Sequence, residues 1–104
     1  MKTIEVAQQF SRYPGGRFFE DGPYSGQAFR ERFLLPPLAR GEEVKVVLDG
    51  ARGYGSSFLE EAFGGLVRAG LTKPDLRRLL TIESHEDESL VLEVADYIAK
   101  ALPQ

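Results

Sequence analysis

Val44-Lys45-Val46-Val47-Leu48-Asp49 runs through Gly50-Ala51-Arg52-Gly53-Tyr54-Gly55 into Ser56-Ser57-Phe58-Leu59-Glu60-Glu61-Ala62-Phe63-Gly64-Gly65-Leu66-Val67. A nearly continuous β-branched run ends in a carboxylate, turns on three glycines and opens a helical pattern with two adjacent hydroxyls. This reads as a buried central strand, a surface turn and a helix N-terminus. In open α/β sheets such strand ends and helix starts collect exposed chemistry, because the first helical N–H groups are unpaired and carry the positive end of the dipole. The helix shows two interleaved i, i+4 rows, Phe58-Ala62-Leu66 and Leu59-Phe63-Val67, which predict a broad buried face. Gly64-Gly65 inside it predicts close approach of the helix backbone to the sheet or to a neighbouring helix.

Outward from that segment, Ile4 and Val6 alternate with polar neighbours and predict a first strand. Tyr13-Pro14-Gly15-Gly16 predicts a turn with proline followed by a positive-φ glycine, and Arg17-Phe18-Phe19-Glu20 a return strand forming an antiparallel hairpin with the first. Ser25 is placed to cap a helix with Phe29, Phe33 and Leu34 on its apolar face, and Pro36-Pro37 is expected to end or kink it. Beyond Gly70, Thr72-Lys73-Pro74-Asp75 starts a short helix through Arg78, and residues 79–83 read as a strand. Ser84-His85-Glu86-Asp87 has capping-box spacing before a last helix whose core stripe is Leu90, Val91, Val94, Ala95, Ile98 and Leu102. The expected order is β-β-α-β-α-α-β-α, one α/β domain over residues 1–104 with a mixed sheet of about four strands.

The 104 residues are 42% hydrophobic and 28% charged, with a formal charge of -3. That charge gives no attraction to nucleic acid or anionic lipid. No cysteine is present, which excludes disulfides, thiol nucleophiles and cysteine metal sites. No apolar run has the length of a membrane span, and the start lacks a signal-peptide core, so a cytoplasmic location is expected.

Three segments together resemble a known family: Pro14-Gly15-Gly16-Arg17, Ser25-Gly26-Gln27-Ala28-Phe29-Arg30, and Val47-Leu48-Asp49 with residues 53–66. Over nearly its whole length the chain is similar to the STAS-like domain family (DUF4325). It is more distantly similar to the STAS domains of anti-sigma factor antagonists. The resemblance implies a regulatory protein-interaction module without catalytic activity or cofactor, and a protein partner such as a histidine-kinase-like ATPase. In the antagonists the corresponding turn reads Asp-Ser-Ser-Gly and one serine is phosphorylated. Laid on this chain, the motif places its serines on Ser56 and Ser57, with Ser57 at the usual acceptor position. Gly55 replaces the motif's aspartate, and Phe58 its glycine.

The candidate phosphoacceptors are therefore Ser57 and Ser56, and the candidate partner or ligand surface is Asp49, Tyr54, Gly55, Glu60, Glu61 and Arg17. A phosphoserine adds about -1.5 to -2 charges at pH 7 beside favourable N–H groups and unfavourable Glu60 and Glu61. The same residues have plainer readings. Ser57-Phe58-Leu59-Glu60 matches a capping box, and Asp49 suits a strand-end residue serving the loop backbone. Tyr54 is either folded onto the core or presented as an interface anchor. Glu60 and Glu61 read as exposed first-turn acids. A second function class is a small-ligand or nucleotide-binding module using the same helix start, with Arg17 after Gly15-Gly16 holding an anion. A third is a structural subunit docking through Tyr13 and Phe18. Serine hydrolysis lacks its Gly-x-Ser-x-Gly frame. His85, the single histidine, reads as solvated, and Glu86-Asp87-Glu88 as a first-turn acidic run rather than a metal site.

Overall fold

The computed structural model describes residues 1–104. β1 (Lys2–Glu5), β2 (Val44–Val47) and β3 (Leu80–Glu83) form one sheet in the order β1-β2-β3, and both pairings are parallel. The strand read from Val44 is indeed the central one. Ile4 lies beside Val46, and Val44 and Val46 lie beside Leu80 and Ile82. Those five side chains share one face because side chains alternate along a strand. Ile4, Val44 and Val46 are fully buried. The opposite face carries Thr3, Glu5, Lys45, Thr81 and Glu83, with Lys45 Nζ 3.3 Å from Glu83. The helices thus cover one side of the sheet and water meets the other.

The expected fourth strand is absent, and the sheet is parallel rather than mixed. Val6 leaves β1 into a single π-turn, Val6–Phe10. Residues 17–20 make no hairpin because their backbone groups are engaged elsewhere. Asp21 accepts from the N–H of Arg17 and Phe18, Gln27 Oε1 accepts from Phe19, and the carbonyls of Gly16 and Arg17 take the N–H of Gly26 and Gln27. Phe19–Asp21 then forms one 3-10 turn. In the preceding turn Gly16, not Gly15, takes the positive φ, at 90°.

α1 spans residues 26–39 and starts as expected, with Ser25 Oγ accepting the Ala28 N–H at 3.1 Å. Pro36-Pro37 does not end it. A π-turn at Arg30–Leu34, in which the Leu35 N–H bonds the Arg30 carbonyl, shifts the register so that both prolines fall in the first turn of the resumed helix Leu35–Ala39. There no intrahelical N–H is required of them.

α2 covers residues 56–68 and also contains a π-turn, Glu60–Gly64. All six residues of its two predicted rows are buried. It packs against both α1 and the last helix, α4 (Ser89–Lys100). Phe10, Phe29, Phe33 and Phe58 fill the space beside the π-turn that follows β1, with Phe10 5.2 Å from Phe29 and 5.6 Å from Phe33, ring centre to ring centre. Between α2 and β3, the short α3 (Lys73–Leu79) is capped by Thr72, whose hydroxyl accepts from Asp75.

The last helix begins later than its capping box suggests. Ser84 Oγ does accept the Asp87 N–H, but that turn precedes α4, and Asp87 in turn accepts from Ser89. Val94 is fully buried, while Ala95 and Leu102 are exposed. At Ala101 the chain turns extended, with ψ 143°, so helical phase is lost before Leu102 and Ala101 is buried instead.

Candidate functional site

The loop from Asp49 to Gly55 leaves the end of the central strand and is held at three points. The carboxylate of Asp49 accepts the N–H of His85 and of Glu86 at 2.9 Å, and Glu86 Oε1 accepts the Gly50 N–H at 2.9 Å in return. These backbone donors hold the Asp49 carboxyl below its ordinary pKa, the Glu86 N–H contributing most. The Tyr54 hydroxyl donates to the Leu48 carbonyl at 2.7 Å, and its ring packs 5.9 Å from Phe58. Burial pushes its hydroxyl pKa up. The Arg52 N–H bonds the Arg12 carbonyl.

Asp49 therefore serves the loop preceding α4, and Tyr54 is folded back onto the core rather than presented as an anchor. Replacing Asp49 by Ala is expected to cost about 1 kcal/mol in urea unfolding, solvent screening reducing the full value of charged hydrogen bonds. Because the folded pKa is depressed, this contribution is present above the ordinary carboxylate pKa and disappears as pH falls through the folded value. Wild type and Asp49→Ala should converge in stability in acid.

The loop delivers Gly55 as the N-cap of α2, in extended geometry with ψ 151°. Ser56 and Ser57 are the first two helical residues. Both are exposed, and neither hydroxyl is hydrogen-bonded within the chain. The capping box expected of Ser57 and Glu60 does not form. The Gly55 carbonyl opens the helix through the Leu59 N–H, two residues earlier than the expected Ser57 cap would.

Glu60 and Glu61 are not exposed acids either; Glu61 is only 6% exposed. Glu60 bonds Arg68 at 2.8 and 3.0 Å and also Arg17, while Glu61 bonds Arg30 at 2.6 Å and lies 3.3 Å from Arg17. The Arg30 guanidinium donates as well to the Glu61 carbonyl, at 2.6 Å. Hydrogen bonding to Arg68, then to Arg17, holds the Glu60 carboxyl below its ordinary pKa, against the opposing effect of burial. Arg17 Nη1 is thus paired with two carboxylates of this chain, and an anion placed on the rest of that guanidinium would lie beside Glu60 and Glu61.

This network joins the π-turns of α1 and α2, and Gly65 makes room for it. A Cβ there would lie 2.1 Å from Arg30 Nη1. The expected approach of a neighbouring helix holds at Gly64, where an added Cβ would lie 3.5 Å from the Tyr97 carbonyl of α4, whereas at Gly65 what approaches is the Arg30 side chain. Arg30 and Arg68 were not singled out by sequence reasoning. The available signal was Arg68 lying seven residues past Glu61 on the same helix face, three residues beyond the Gly64-Gly65 pair. His85, as expected, is exposed, with Nε2 3.4 Å from Glu83. Tyr13 and Phe18 are exposed, and the Arg52 guanidinium lies over the Tyr13 ring.

A two-layer α/β domain with a parallel sheet and an open helix start after its central strand is defined by these elements. The chain belongs to the STAS-like domain family of unknown function (DUF4325), whose family model matches residues 25–90. The match takes in α1, the central strand, the serine-bearing turn and α2, and ends at the start of α4. No curated protein and no solved structure matches the chain. No helix is long and apolar enough to cross a membrane.

Proposed function

We propose that this STAS-like domain is a non-catalytic regulatory module that docks a protein partner at the start of α2 and is switched by phosphorylation of Ser57, with Ser56 the neighbouring acceptor. The observation that carries this reading is the pair of exposed hydroxyls, free of internal hydrogen bonds, on a helix start held by the Asp49 clasp and the Tyr54 bond. A capping serine would be occupied; these are free to react. Their N-terminal position favours an added phosphate, and Glu60 and Glu61, already paired with arginines, oppose it less than unpaired acids would. The domain itself should tolerate the modification.

A partner packed on the turn would not. An unpaired dianion at an interface should weaken binding about 100-fold or more, equivalent to roughly 3 kcal/mol. The partner is expected to carry an ATP-binding kinase fold, as in the antagonist families this domain resembles.

The test is to express tagged wild type, Ser57→Ala and Ser57→Glu in the native host and analyse each by intact mass and by co-purification. Wild type should carry a phosphoryl group that Ser57→Ala lacks, and Ser57→Glu should lose a partner that Ser57→Ala retains while melting at the wild-type temperature. An unmodified wild type whose companions are the same as those of Ser57→Glu would defeat the proposal.

A further inference from the structure

On the side of the molecule formed by α3, β3 and α4, an apolar groove of about 390 Å3 lies over Leu80 and Ile82, walled by Leu76, Val91, Ala95 and Ile98. It continues past Ile82 and Val91 to Leu92, which is 75% exposed. Val94, fully buried, lies at the bottom of the groove, and Val91, Ala95 and Ile98, at i, i+4 and i+7, line it together with Ala99, so the apolar face of α4 extends beyond what the core covers. β3 is also the edge of the sheet, and no strand pairs beyond it. Apolar surface left open along a helix and a strand edge marks an interaction face.

The charges around this groove are divided by sign. Lys73 and Arg77 stand at the end beside the C-terminus of α4, where Lys73 Nζ bonds the Ala99 carbonyl. Glu83, Glu88 and the turn containing Glu86 and Asp87 stand at the other end, at the N-terminus of α4. Arg78 is paired with Asp75 and Glu83 with Lys45, but Arg77 and Glu88 have no ion-pair partner within the chain. A groove positive at one end and negative at the other complements itself when turned through 180°. That is the condition for a two-fold interface, in which each patch meets its own copy.

We propose that a second copy of this chain covers the groove, with the α4 helices antiparallel across a two-fold axis near Ala95. α4 is about 18 Å long at 1.5 Å per residue, and Ala95 lies at its middle. The small side chains of Ala95 and Ala99 let the two helices approach closely. Each Glu88 then comes to the Lys73–Arg77 end of the other copy, and each exposed Leu92 is withdrawn from water. The serine-bearing turn is outside this surface, so dimerisation and the proposed docking at Ser57 are separable.

Sedimentation velocity on the purified chain, from about 1 μM to about 1 mM, reads the association directly. Wild type is expected to form dimers with a micromolar dissociation constant. Ala95→Arg should be monomeric throughout, and its unchanged melting temperature would show that the fold is intact, since Ala95 lies outside the core. Arg77→Glu and Glu88→Arg should each weaken association at least tenfold, and the two combined should restore it. A wild type monomeric over the whole range overturns the proposal, whatever other protein the groove then binds. So does a dimer that survives Ala95→Arg, or a charge-swapped pair that associates no better than its single variants.

Discussion

Gly26→Ala should unfold or nearly unfold this domain, with an expected loss of about 3 kcal/mol or more in denaturant titration. Gly26 is the first helical residue after the Ser25 cap and is buried against α2. A Cβ there would lie 2.4 Å from the Phe58 carbonyl oxygen, 3.0 Å from the Ala62 nitrogen and 3.0 Å from Glu61 Cβ. Two of those three atoms are backbone, so no rotamer change relieves the contact. One helix must move, and the aromatic packing between Phe29 and Phe58 moves with it. Gly53→Ala is the matched control, because no atom lies within 4 Å of its added carbon and its φ is not positive. It should change stability by less than about 1 kcal/mol. Equal losses in the two variants would show that α1 and α2 do not cross as closely as described.

Removing the Glu61 carboxylate should be comparably severe. Glu61→Ala is expected to cost about 3 kcal/mol, because it leaves a nearly buried guanidinium without its close counter-charge, the residue-61 carbonyl being its remaining short partner. Arg30 is 11% exposed in its side chain, and its other acidic neighbour, Glu31, is 3.7 Å away and half in solvent. Glu60→Ala should cost less, about 1–2 kcal/mol, since Glu60, Arg17 and Arg68 are each partly exposed. Glu60 also predicts an acid limb. Its folded pKa lies below its ordinary value, so its pairing stabilises fully above the unfolded glutamate pKa of about 4.3 and is lost as pH falls through the folded value. In Glu60→Ala that limb should flatten, which urea midpoints across the acid range would measure. An unchanged acid limb would remove Glu60 from the account.

Several residues could be read at once from their neighbours in the chain. The Ser25 and Thr72 caps, the buried rows of α2 and the central place of β2 all follow from patterns within about a dozen residues. The return strand failed because side chains a few residues further on compete for its backbone. Phe18-Phe19 has good strand character, but Asp21 and Gln27 offer its backbone donors nearer partners than a strand would. Pro36-Pro37 failed as a stop signal because a π-turn upstream moved both prolines into positions that suit them. The candidate site divides in the same way. The exposure of Ser56 and Ser57 was legible from the helix start, whereas the roles of Glu60, Glu61 and Arg17 depended on partners as many as 44 residues away.

By itself, the order of residues settled the class of this protein: an α/β chain of the STAS-like family with a hydroxyl-bearing helix start after its central strand. Hydrophobic period, caps and turns are short-range properties, and they survive in any arrangement of the elements. Only the tertiary structure decided that the sheet has three parallel strands, that Gly26 and Gly65 are crossing points, and that two glutamates are neutralised by three arginines. Those outcomes depend on distances between segments remote in the chain, where a single ångström separates a hydrogen bond from a clash.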